Sequence, residues 1–112
     1  MTRVLIESPF AGGFANVKYS RECLRDSIER GESPYASHLL YTQKGVLDDS
    51  IPAERTRGME AAVAWLEVAD HIAVYCDNGL SPGMARGVIR AYALGKPVKF
   101  RWIRCDPKRE VE

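Results

Sequence analysis

No apolar stretch in this 112-residue chain approaches the roughly 18 residues that a membrane span needs. The opening residues also lack the basic segment and apolar run of a secretory leader. The expectation is a cytoplasmic protein that meets no membrane. Histidine is scarce, with only His38 and His71, and the cysteines Cys23, Cys76 and Cys105 lie far apart with no CxxC pair. A disulfide framework and a metal centre are therefore not expected, and nothing suggests a cofactor. A charge excess is missing too: 16 basic against 15 acidic residues leave a net +1, too little to advertise nucleic acid. There is no Walker A loop, no GxGxxG fingerprint, no internal repeat and no low-complexity segment.

What is present is globular. The hydrophobic fraction of 46% and charged fraction of 28% exclude the disordered and fibrous classes. The length suits one domain, residues 1–112, which on folding buries about 65% of its extended-chain surface. The run from Arg3 to Ser8 reads as a buried strand ending at Pro9. Phe10 to Ala15 reads as a loop, and Asn16 as the cap of a helix that stops near Gly31. Tyr35 to Leu40 is a second strand candidate, and Tyr41 to Pro52 a long polar loop. A second helix begins near Ala53, a third strand spans His71 to Tyr75, and Ser81-Pro82 opens a third helix that ends at Gly95. Val98 to Arg104 is the last strand, followed by a charged tail. Strands alternating with helices predict an α/β fold: a Rossmann-like three-layer sandwich with a four- to five-stranded parallel sheet.

Ligands of such sheets sit beyond the carboxyl ends of the strands, where the strand order reverses. Three segments of this chain lie at those ends. In Asp77-Asn78-Gly-Leu-Ser81-Pro-Gly83-Met84 a glycine turn leads into a capped helix, whose first N–H groups favour an anion such as phosphate. Glu7-Ser8-Pro9-Phe10 places an acid and a serine at the end of the first strand. His38, Tyr41, Gln43, Asp48, Asp49, Glu54 and Arg55 form a polar set on and after the long loop. A Ser81/His38/Asp77 triad can be assembled on paper but is not the favoured chemistry. Between Met84 and Arg109 eight basic side chains face one acid, a solvated basic end or a surface that attracts an anionic small molecule. Trp65, Tyr92 and Trp102 have few places to hide in so small a sheet, which points to a homo-oligomer.

Taken in order, Ile6-Glu-Ser-Pro-Phe10, Asn16-Val17, Ala36-Ser-His-Leu-Leu-Tyr-Thr-Gln43, Leu47-Asp-Asp49, Pro52-Ala-Glu-Arg55 with Gly58, and Ser81-Pro-Gly-Met84 carry a resemblance. The chain resembles the nucleoside 2-deoxyribosyltransferase-like group, and within it a branch of small proteins frequent in phages and bacteria. The resemblance implies a Rossmann-like fold, oligomers whose pockets a neighbouring subunit completes, and ligands in which a ribose is joined to a base. It implies ligand contacts at Ser8, Pro9, Phe10, Asn16, His38, Asp49, Arg55, Asp77, Asn78, Ser81, Gly83 and Met84. One position departs from the pattern. The transferases attack the anomeric carbon with a glutamate on the helix after the Ser/Gly turn, and Gly87 stands where it would be; no glutamate occurs between Glu67 and Glu110. The expectation is a binder of a nucleotide-type molecule, such as an ADP-ribose-derived signal that a phage protein sequesters in the host cytoplasm without turnover. The alternative is an N-glycosidic-bond enzyme, a deoxyribosyltransferase or nucleotide hydrolase, that uses Asp77, Glu7 or Glu54 as its carboxylate.

Overall fold

The computed structural model describes residues 1–10 and 13–112. At its centre lie β1 (Arg3–Glu7) and β3 (His71–Tyr75), paired in parallel with Leu5 opposite Ile72. Both are short and apolar, as strands covered on two faces must be. β2 (Ser33–Tyr35) flanks β1 and β4 (Val98–Trp102) flanks β3, all in parallel. β5 (Arg109–Val111) runs antiparallel along β4 and closes the order β2-β1-β3-β4-β5. The chain moves from β1 outward to β2, then returns to the other side of β1 for β3. The order therefore reverses between β1 and β3, and their carboxyl ends flank the crevice where ligands of open sheets bind.

Strand alternation sorts the core into two halves. Val4, Ile6, Ala73 and Tyr75 face α1 (Phe14–Glu29) and pack on Tyr19 and Cys23. Leu5, Ile72 and Val74 face α3 (Pro52–Val68) and α4 (Pro82–Ala93), packing on Leu66, Met84 and Ala91. The same two-residue period sends Glu7 to the α4 side and Ser8 to the α1 side. α4 begins as expected, with Pro82 at its first turn and Ser81 as cap: the Ser81 hydroxyl accepts the Met84 N–H at 3.2 Å, while the Ser81 N–H points at Met84 Sδ at 3.4 Å.

Three expectations need correction. Tyr35–Leu40 is not a strand: β2 ends at Tyr35, and Ser37–Leu40 forms one helical turn, α2. Pro34 inside β2 is tolerated because β2 is an edge strand and that N–H has no ladder partner to lose. α1 starts at Phe14, with Gly13 at φ 85° before it, so Asn16 sits within the first turn rather than at the cap. Of the loop expected from Phe10 to Ala15, Ala11 and Gly12 lie outside the described residues. The sheet is not wholly parallel, since the charged tail supplies the antiparallel β5.

What fastens that tail is a charge cluster below α1. Arg101 on β4 is 1% exposed, and its guanidinium donates to both Glu32 oxygens at 2.8 and 2.7 Å, to Glu110 on β5 at 2.6 Å and to the Tyr75 hydroxyl at 3.1 Å. Tyr75 in turn donates to Asp26, which also takes Arg30 and Lys108. Burial works against the charges of Asp26 and Glu32, but these donors outweigh it and hold both carboxyls below the usual range. No described helix is long and apolar enough to cross a membrane.

Candidate functional site

A cavity of about 270 Å³ opens at the carboxyl ends of β1 and β3, between α2, α3 and the start of α4. Of the residues expected at a ligand, Ser8, Pro9, Phe10, His38, Asp49, Arg55, Ser81, Gly83 and Met84 line it, as do Glu7 and Glu54. Asn16, Asp77 and Asn78 do not. Arg86 and Arg90, which the sequence offered only as part of its basic stretch, also line the wall one helical turn apart on α4. Their spacing of four within the basic stretch is the signal that places both on one helix face. Tyr41, Leu47, Met59 and Ala62 add an aromatic and apolar wall from α3 and the loop before it.

Asp77 belongs to the scaffold. Its carboxylate accepts the Tyr19 hydroxyl at 2.5 Å, the Ile103 N–H at 3.0 Å and the Arg104 N–H at 2.8 Å, clamping the end of β4 to α1. Burial opposes its charge, yet these donors hold the carboxyl below the usual range. We expect Asp77→Ala to lower the free energy of unfolding by about 1–3 kcal/mol, the cost of stranding its donors. Thermal unfolding checks this, and an unchanged midpoint would exclude the clamp.

The histidine is also committed. His38 Nε2 lies 2.7 Å from Ser8 Oγ and 3.2 Å from Ser20 Oγ, and the two hydroxyls are 2.8 Å apart. Burial pushes the imidazole down to about 4, so the ring is neutral at physiological pH. This network ties β1, α1 and α2 together at the cavity floor. Gly79-Leu-Ser-Pro-Gly83 spells the GxSxG pattern of a nucleophile elbow, which sequence reasoning overlooked. Its geometry is different: Ser81 has an ordinary extended backbone (φ −76°, ψ 161°), and its hydroxyl is engaged in capping. With His38 on Ser8 and Asp77 on Tyr19, the three members of the paper triad are held apart in separate contacts.

Glu7 lacks such ties. Among the described residues its carboxyl makes no hydrogen bond and no ion pair, although it lines the cavity. Burial raises it to about 8, with the Arg90 guanidinium pulling the other way. Glu54, by contrast, accepts the Asp48 N–H at 3.2 Å near the rim. No group of three His, Cys, Asp or Glu side chains among the described residues is placed to hold a metal.

The chain shares its fold with solved 2-deoxyribosyltransferases. The 2-deoxyribosyltransferase of the psychrotolerant bacterium Bacillus psychrosaccharolyticus matches with a TM-score of 0.70 at 18% identity, over 88% of this chain and 71% of that one. A conserved protein from Enterococcus faecalis V583 gives 0.66 at 20% identity, over 88% and 61%. The 2-deoxyribosyltransferase of Leishmania mexicana gives 0.65 at 14% identity, over 91% and 65%. The chain thus spans between 61% and 71% of these structures, and at such identities the likeness is one of fold. By sequence, the chain belongs to the family described as Domain of unknown function (DUF7768), whose model matches residues 2–101. No curated protein matches it.

Proposed function

We propose that the cavity binds a small nucleoside-type molecule, a base joined to a ribose, with an anionic group at the start of α4. One observation carries this: a single cavity combines an apolar and aromatic wall with the open N-terminus of a capped helix at the strand-order switch. The wall suits a base, and the Gly83 N–H at the positive end of α4 suits a phosphate. Arg55, Arg86 and Arg90 add cationic groups to the same cavity. A side chain added at Gly83 would meet Arg86 and Ser81 only at 3.9 Å, so the backbone there is open to a close ligand. The volume lies near the small end of ligand cavities, which favours a nucleoside monophosphate over a molecule as long as ADP-ribose. The solved 2-deoxyribosyltransferases of this fold support the class of ligand.

Gly83→Asp tests the anionic subsite. The added Cβ has room, so the fold is expected to survive, while the new charge opposes an anion at the helix start. Calorimetric titration with nucleoside monophosphates should show affinity falling at least about tenfold, with the matching nucleosides little affected. Equal affinities for wild type and variant would remove the phosphate from α4.

Sequestration without turnover needs a cavity that leaves the glycosidic bond alone. The unpartnered Glu7 carboxyl favours the enzymatic alternative instead. A homo-oligomer belongs to the same proposal: Ile89 and Tyr92 on α4 and Trp65 and Val68 on α3 are exposed and available to a second copy.

A further inference from the structure

We propose that Glu7 is the catalytic acid of this cavity, protonating the departing base of a bound N-glycoside, and that Gly87 is the residue whose missing side chain makes room for it. The inference rests on the cavity binding a nucleoside-type ligand, and it assigns the chemistry done there.

The geometry comes from two elements that are distant in sequence. Glu7 is the last residue of β1, and the strand period turns it toward α4. There its carboxyl fills the space over Gly87. A Cβ built on Gly87 would fall 2.8 Å from Glu7 Cδ and closer still to Oε1. Any other residue at 87 would therefore evict the carboxyl from its place. Gly87 itself has no positive φ and lies within a helix, where glycine is less favourable than alanine. Conformation does not explain the glycine; the carboxyl beside it does.

A carboxyl in such surroundings is normally hydrogen-bonded or paired. Glu7 has neither among the described residues, and it lines the cavity, where a ligand supplies the missing partner. The charged and titratable side chains lining the same cavity are His38, Tyr41, Asp49, Glu54, Arg55, Arg86 and Arg90. His38 is neutral and held by Ser8 and Ser20, and the Arg90 guanidinium favours the ionised form of Glu7. Burial prevails and keeps the acid protonated at neutral pH, the state a proton donor needs. Arg90 is then placed to steady the carboxylate left after transfer.

The step is a hydrolysis. Glu7 gives its proton to a ring nitrogen of the base, the C1′–N bond breaks, and its electron pair leaves with the base. A water oxygen adds to C1′, and the proton it sheds returns to the Glu7 carboxylate. The products are the free base and the sugar bearing a 1-hydroxyl.

The test uses the full chain with purine and pyrimidine nucleosides and their 5′-monophosphates, following free base by chromatography and binding by calorimetry. Wild type is expected to release base, with kcat/KM falling as pH rises above about 8. Glu7→Gln should lose at least about 100-fold in kcat while binding within a few-fold of wild type. Gly87→Ala should lose activity as well, with Glu7 still present but displaced. Carbon-detected NMR of the Glu7 carboxyl gives a readout independent of turnover, and a titration near the ordinary 4.5 would overturn the acid assignment. Binding without base release would also overturn it, leaving the binding proposal intact. Absence of binding by any of these ligands would overturn both.

Discussion

Replacing Arg101 by leucine is expected to destabilise the fold by about 3–5 kcal/mol, a large share of the roughly 5–15 kcal/mol that a domain possesses. The large effect comes from what the substitution leaves behind. Glu32, with its side chain 10% exposed, loses both hydrogen bonds from the guanidinium, and Glu110 loses the bond that holds β5 to the sheet. Tyr75 keeps Asp26 as its acceptor but loses its own donor. Urea titration should show an early transition. Adding Glu32→Leu to the Arg101→Leu chain should recover much of the loss, because a buried pair replaced by apolar groups costs far less than one charge stranded. A single variant with the wild-type midpoint would mean that the cluster sits in water more than its packing shows.

The second large effect comes from Glu7 and depends on pH. In the unfolded chain this carboxyl titrates near 4.5, and in the folded one near about 8. Between those values the unfolded chain has released a proton that the folded chain still holds, so stability falls as pH rises, by about 1.4 kcal/mol per unit. The decline amounts to roughly 3–6 kcal/mol across the window and levels off above it. Glu7→Gln has the same shape and no proton to lose. It should match wild type near pH 4.5 and be the more stable protein at pH 9, as measured by denaturant midpoints at both. Parallel stability curves for the two proteins would show that the carboxyl is not forced to stay neutral. An activity lost together with a stability gained is the trade expected at a site strained for chemistry.

Local signals carried most of the fold. The apolar His71–Tyr75 run, the Ser81-Pro82 start and the Gly95 stop each declare themselves within a few residues, and α4 and β3 fall where those signals place them. Tyr35–Leu40 misled because its apolar residues lack a period long enough to separate a strand from a helical turn; Leu39 packs into the α1-side core from α2 instead. β5 could not be read from Arg109-Glu-Val111, whose pairing depends on Glu110 meeting Arg101. Asp77 looked like a ligand group because it follows a strand, and only the approach of Tyr19 and the end of β4 reveals it as a clamp. The contact of Glu7 with Gly87 joins positions 80 apart, and no spacing rule reaches that far.

That contact also constrains how the sequence is free to change. Positions 7 and 87 share one volume, and a side chain from either the strand or the helix fills it, but not from both. A side chain at 87 turns the flexible Glu7 carboxyl out of its place, while shrinking position 7 opens a void beside α4. The two sites are therefore coupled, and a replacement at one changes what the other can hold in place. A carboxyl that faces the cavity from a helix and one that faces it from a strand are separate solutions, with an unfavourable intermediate on either route between them.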